Sequence, residues 1–191
     1  MTDEELVISV RSGDHQSLGV LVARWERPLF CFAYRMLQRQ EDARDICQET
    51  FLRVLKKAHR FREGSKFSTW MYQIALNLCR DQLRKRRRWS TILAEDRELN
   101  EQTDIPPDVR LASDDPSRQV EKRQKTRALQ LALKEIPPEQ REVLIMKEYE
   151  GLKFKEIAEI LDAPESTVKS RMYYGLTGLK TALSRQGITE A

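Results

Sequence analysis

A chain of 191 residues suits one ordinary domain or two small ones. With 34 per cent of its residues charged and only 7 per cent aromatic, it fits a helical protein better than a sheet-rich one. It has no apolar run long enough to cross a bilayer, and its N-terminus, "MTDEELVISVRSGD", is acidic where a secretion signal needs basic and then apolar residues, so a cytoplasmic protein with no membrane insertion is expected.

From the N-terminus, Leu18, Leu21, Val22, Trp25, Leu29, Phe32, Met36 and Leu37 follow helical spacing, with Pro28 as an interruption that predicts a kink. After the polar break "QRQED", Ala43, Ile46, Cys47, Phe51, Val54 and Leu55 make a second apolar stripe, on a helix expected to end near Phe61. "REGSK" reads as a turn, and no alternating strand pattern of useful length occurs.

The next helix, "FSTWMYQIALNLCRDQLRKRRR", starts with aromatics and ends in positive charge: six of the nine residues from Arg80 to Arg88 are Lys or Arg, against the single acid Asp81. At 100° per residue, Phe67, Trp70, Met71, Ile74 and Leu78 fall on one narrow stripe, the predicted core contact. Tyr72, Leu76, Cys79 and Leu83 flank it, and Gln73, Asn77, Arg80 and Arg84 line the remaining side. A solvated helix face would look similar. The adjacent cations Lys85, Arg86, Arg87 and Arg88, followed by Trp89, favour nucleic acid, because phosphate binding by counterion release needs clustered positive charge.

Residues 90–120 hold Pro106, Pro107 and Pro116, and eight acids against three bases, a local charge of −5. That composition reads as an acidic tether. The expected layout is therefore all-α: a helical domain over 10–89, a linker over 90–123 and a second helical domain over 124–185.

In the second half, "ALQLALKEIPPEQREVLIMKEYEGL" supplies two amphipathic helices split at Pro137-Pro138. "FKEIAEILDAPESTVKSRMYYGL" then reads as helix, tight turn, helix. Phe154, Ile157, Ala158 and Leu161 face inward on the first; Val168, Met172, Leu176, Leu179 and Leu183 do so on the second. Ala158 is expected to let the two cross closely, as a helix-turn-helix needs. Ser166, Thr167, Lys169, Ser170, Tyr173 and Tyr174 point outward, with Arg171 on the flank; small hydroxyls and a Lys at a helix start suit a major groove. A generic helical hairpin is the alternative.

Catalytic and metal chemistry find no foothold in the pattern. Cys31, Cys47 and Cys79 are isolated among apolar residues, and His15 and His59 have no partner at metal-ligand spacing. Glycine-rich phosphate loops and nucleophile elbows do not occur either. Neither catalytic residue, metal nor cofactor is expected.

These segments resemble the extracytoplasmic-function, or group IV, sigma factors of bacterial RNA polymerase. "DARDICQETFLRVLKKAHRF" is similar to the family's region 2.2, "KFSTWMYQIALNLCRDQLRKRRR" to regions 2.3 and 2.4, and "IPPEQREVLIMKEYEGLKFKEIAEILDAPESTVKSR" to region 4. The resemblance implies that Asp45, Gln48 and Glu49 dock on the polymerase clamp. It implies that the Phe61–Lys66 loop captures a flipped base of the −10 element, and that Gln73, Asn77, Arg80 and Arg84, with Lys85 to Arg88, hold the promoter strand. In the second domain it implies a grip on the polymerase flap and insertion of Glu165, Ser166, Thr167, Lys169, Ser170, Arg171 and Tyr174 at the −35 element. Asp162 stands where relatives often have Gly, and Tyr174 and Leu176 where they often carry Arg, which implies fewer phosphate contacts there. An anti-sigma partner is implied; a small-molecule substrate is not. The alternative reading is a conventional helix-turn-helix regulator that binds DNA without polymerase.

Overall fold

The computed structural model describes residues 1–92 and 116–187, so most of the acidic tether, residues 93–115, lies outside the described residues. All regular structure among the described residues is helical: α1 (Asp3–Arg11), α2 (His15–Leu37), α3 (Gln40–Lys57), α4 (Phe67–Ile92), α5 (Pro116–Glu135), α6 (Pro138–Leu144), α7 (Phe154–Leu161) and α8 (Glu165–Arg185). The chain divides into two compact units, the first holding α1–α4 and the second the helices from α5 on, apart from Glu159–Leu161 at the end of α7.

In the first unit, α1 begins well before residue 10. "TDEE" is a capping box: the Glu5 amide donates to Thr2 Oγ1 at 3.2 Å, and the Thr2 amide donates to Glu5 Oε2 at 2.7 Å. Leu6, Val7 and Val10 bury one face of α1, which packs on α2. Asp14 caps α2 by accepting from the amides of Gln16 and Ser17, and the Ser17 hydroxyl beside it holds its carboxyl below the usual range. Helix α2 continues through Pro28 to Leu37 and ends at Gln38, whose φ is 57°. It packs on α3 and α4 through Leu29, Phe32 and Met36, each about 2–3 kcal/mol of apolar burial.

From Phe67 to Cys79, helix α4 is enclosed almost all round. Phe67, Met71, Tyr72, Ile74, Ala75, Leu76, Leu78 and Cys79 are all buried, so the predicted core stripe and its flanking band merge into one surface. Trp70 is only half-buried; its ring lies against Phe61 at 5.3 Å and Phe67 at 6.4 Å. From Phe67 the aromatic chain continues to Trp25 at 6.0 Å, Tyr72 and Phe32, tying the start of α4 to α2. The three cysteines are buried and form no disulfide; burial pushes the Cys47 thiol up to about 11.

In the second unit, Pro138 opens α6 at a position where its missing amide costs nothing. The helix passes directly into a π-helical turn, Ile145–Tyr149, that buries Ile145 and Met146 together. Asp162 makes the turn into α8 with φ 50°, a left-handed conformation that Asp tolerates. The inner face of α8 differs from the expectation at Leu176, and Leu179 and Leu183 are only half-buried. Val168, Met172, Gly175 and Ala182 are buried, whereas Leu176, 100° beyond Gly175, is 45 % exposed. The close approach is also elsewhere: Ala158 is only half-buried, but a Cβ on Gly175 would lie 3.0 Å from Leu144 Cδ1. Glycine is what lets α8 cross α6.

Gly175→Val therefore overpacks the α6–α8 crossing and destabilises the second unit by about 1–3 kcal/mol. Trp25, Trp70 and Trp89 all lie in the first unit, so denaturation followed by tryptophan emission stays unchanged while the helical signal from the second unit is lost earlier.

Candidate nucleic-acid and polymerase interfaces

The polar positions of α4 form a narrow seam. Asn77 is exposed, Gln73 and Arg80 are half-buried, and every residue between them is enclosed. The seam sits where helical spacing places it, because burial of the other positions leaves no second outlet.

The basic run does not behave as a uniform cationic tail. Arg84 pairs with Asp81 one turn back. Arg86 turns toward the body of the unit: its Nη1 donates to the Leu37 carbonyl at 3.1 Å and lies 3.7 Å from Asp42 Oδ2, and its side chain is 29 % exposed. Gln82 Nε2 donates to the other Asp42 oxygen at 2.9 Å. Arg86 thus pins the end of α4 to the α2–α3 junction, a structural task that the run of like charges conceals. Lys85, Arg87, Arg88 and Trp89 are exposed.

On α3, Asp45 and Gln48 are exposed and Glu49 is half-buried. Leu52, one further turn along, is 48 % exposed and completes an i, i+3, i+4, i+7 ridge. Leu52 lies outside the expected polar set, although helical spacing alone groups it with those residues. Arg53 Nε donates to Glu49 Oε1 at 2.8 Å and holds that carboxyl below its usual range. A groove of about 470 Å³ runs between α3 and α4, with Asp45, Glu49 and Arg53 on one side and Arg84, Lys85 and Arg88 on the other. The acidic ridge and the basic run, treated separately in the sequence, border one groove.

The loop before α4 is exposed from Arg62 to Lys66 and turns at Gly64, φ 85°, with Ser65 N donating to Arg62 O at 3.1 Å. Phe61 departs from the expectation of a base-capturing residue. Its ring is 4 % exposed and packs on Trp70, so it supports the loop from beneath instead of offering a stacking surface.

In the second unit, Glu165, Ser166, Lys169, Ser170, Tyr173 and Tyr174 are exposed along α8, while Thr167 and Arg171 are half-buried. Pro164 provides no capping side chain, so first-turn amide donors of α8 have no side-chain partner there. Lys169 Nζ pairs with Glu165 Oε1 at 2.7 Å and stands 5.8 Å from the centre of the Phe154 ring, which Lys147 approaches to 5.0 Å. Tyr173 and Tyr174 meet edge to face at 5.5 Å; Tyr173 belongs with the outward face and was left out of the expected contact set. Among the described residues no cluster of His, Cys, Asp or Glu could hold a metal, and no helix is long and apolar enough to cross a membrane.

Arg86→Ala should cost about 1–3 kcal/mol of stability, because it removes a charge-assisted hydrogen bond from a buried-side carbonyl. Lys85→Ala and Arg88→Ala should leave the unfolding midpoint within about 0.5 kcal/mol, as exposed cations do. Urea denaturation of the three variants checks the contrast.

The family model for Sigma-70 region 2 matches residues 21–89, and that for Sigma-70 region 4 matches residues 126–177. The sigma factor SigW of Bacillus subtilis is 31 % identical over 186 residues, 96 % of this chain and 97 % of its own length. The sigma-E factor of Haemophilus influenzae is 31 % identical over 176 residues, 91 % of this chain and 90 % of its own. In fold, the chain resembles the sigma factor RpoE of Bartonella quintana, solved in complex with the anti-sigma factor NepR, with a TM-score of 0.71 at 23 % identity, covering 87 % of this chain and 96 % of that one. The exposed seam of α4 and the outward face of α8 thus belong to a transcription-initiation protein: the chain is a member of the extracytoplasmic-function sigma factors of the sigma-70 family.

Proposed function

We propose that this sigma factor divides its work between the two units, and that the observation carrying this division is the seam of Gln73, Asn77 and Arg80 on the otherwise enclosed middle of α4. The ridge of Asp45, Gln48, Glu49 and Leu52 seats the first unit on the clamp of core RNA polymerase. The α4 seam, with Lys85, Arg87 and Arg88, then holds the non-template strand of the −10 element, and the 62–66 loop receives one unstacked base. Unstacking costs a few kcal/mol, which base-edge hydrogen bonds and phosphate contacts offset. The binding energy alone drives strand opening, with no nucleotide hydrolysis, so the protein is not an enzyme by itself.

The second unit grips the polymerase flap and places the start of α8 at the −35 element, where Ser166, Lys169, Ser170 and Arg171 meet base edges and phosphates. Lys169 exchanges Glu165 for a phosphate at small cost, because an exposed ion pair is worth at most about 1 kcal/mol. The setting is the cytoplasm, where the polymerase is found. A protein inhibitor of the anti-sigma class keeps the factor silent, a reading supported by the solved RpoE–NepR complex of its structural relative.

Run-off transcription with core polymerase on genomic DNA tests the whole: the factor should confer defined start sites, whereas tight binding to a specific duplex without polymerase would favour a conventional regulator. Asp45→Lys should reduce core-polymerase affinity at least about ten-fold by reversing the charge of an exposed residue on the docking ridge, without changing the helical signal. Lys169→Ala should weaken binding at the −35 element by about 1–3 kcal/mol where a base edge is read, measured by footprinting of the holoenzyme.

A further inference from the structure

Helix α1 takes no part in the proposed DNA and polymerase contacts, yet it is joined to both ends of the 62–66 loop. At the far end, the amide of Phe67, the first residue of α4, donates to Glu4 Oε1 at 3.0 Å. This is a helix cap supplied from another element. Lys66, the residue before α4, has only donors on its side chain and cannot accept from a first-turn amide. The Glu4 carboxylate also lies at the positive end of the α4 dipole, in a half-buried position. At the near end, Arg11 Nη2 pairs with Glu63 Oε1 at 3.0 Å.

Helix α1 is itself held firmly. Asp3 accepts from Arg24 at 2.8 Å with one oxygen and from Trp25 Nε1 at 2.9 Å with the other, and Leu6, Val7 and Val10 anchor it in the core. Trp25 is the same ring that meets Phe67 in the aromatic chain. The loop is therefore suspended between an aromatic support under Phe61 and Trp70 and two polar ties to α1. The ties are unequal: the Arg11–Glu63 pair is exposed and weak, whereas the half-buried charge-assisted cap is the stronger.

We infer that Glu4 is a positioning residue for promoter opening: by capping α4 it sets the height of the 62–66 loop from which the unstacked −10 base is received. The inference rests on the proposed role of that loop. Glu4 touches no DNA; it acts through the Phe67 amide, and Arg11 trims the same geometry through Glu63.

The test uses full-length chain assembled with core RNA polymerase and a promoter selected by that holoenzyme, with 2-aminopurine placed in turn at each non-template −10 position to report unstacking. Glu4→Ala has no acceptor for the Phe67 amide, and the population of the unstacked state should fall about five-fold. Glu4→Gln keeps a carbonyl oxygen and should stay within about two-fold of wild type. Arg11→Glu, which disturbs only exposed groups and sets like charges beside Glu63, should lower the signal in the same direction, whereas Arg11→Lys, which keeps the ion pair, should stay within about two-fold of wild type. On a template abasic at the captured position, all variants should open equally, and their affinities for core polymerase should match. Equal signals from wild type and Glu4→Ala on the intact promoter overturn the inference. So does a Glu4→Ala defect that persists on the abasic template or is matched by lost polymerase affinity, since that is general loss of fold. A wild-type holoenzyme with no unstacking signal at any position overturns the role of the loop itself, and this inference with it.

Discussion

Helix α4 packs against α1, α2 and α3, and the positions it has left over decide what the first unit can offer to another molecule. A helix apolar almost all round belongs in a core. This one carries Gln73, Asn77 and Arg80 because they fall at i, i+4 and i+7, along the line its neighbours do not cover. Moving the pattern one residue toward the N-terminus would put a guanidinium at the fully buried position of Cys79, at a cost of several kcal/mol for an unpaired buried charge. The polar seam and the apolar core are thus one constraint seen from two sides. The geometry of any base contact made along the seam inherits the rigidity of Phe67, Met71 and Leu76, all fully buried.

Charge in this protein gains meaning only when sorted by partner. Arg84 and Lys169 each sit beside a carboxylate on their own helix, within one turn. Such exposed pairs are worth at most about 1 kcal/mol, so either cation can leave its carboxylate for a phosphate with little penalty. Arg86 differs: its partners are the Leu37 carbonyl and Asp42, contacts that join α4 to the end of α2. Breaking them would loosen the unit that has to stay rigid. Residues alike in sequence therefore divide into those able to exchange partners and those committed to the fold.

The all-helical class, the turn at 62–66 and the helix-turn-helix were legible because apolar spacing and turn chemistry act locally. Asp162 shows how far this reaches, since its tolerance for a left-handed backbone follows from the residue type and the structure uses it. What escaped depends on partners distant in sequence. Phe61 looks like an exposed loop aromatic until Trp70, nine positions on, covers it. Gly175 looks like a helix weakness until Leu144 occupies the space where its Cβ would be. Leu176 was placed inward because leucine is apolar, whereas the crossing angle of α8 and α6 selects Gly175 for that position. The capping box at Thr2 and Glu5 was local and readable, but its consequence, a helix that reaches Phe67 and Glu63, was not.

On the proposed division of work, the second unit is a weak binder by construction. Lys169 is paired with Glu165, Arg171 is half-buried, and the next exposed positions along α8 are Tyr173, Tyr174 and Leu176, none of them cationic. Affinity for duplex DNA through counterion release grows with the number of phosphates met by cations, and a face with so few meets only a few. Such a face discriminates poorly alone, but a partner that holds both units near one promoter converts its binding into an intramolecular step. On that division of work, the modest charge at the tip of α8 ties the contribution of the second unit to the local concentration that the polymerase supplies.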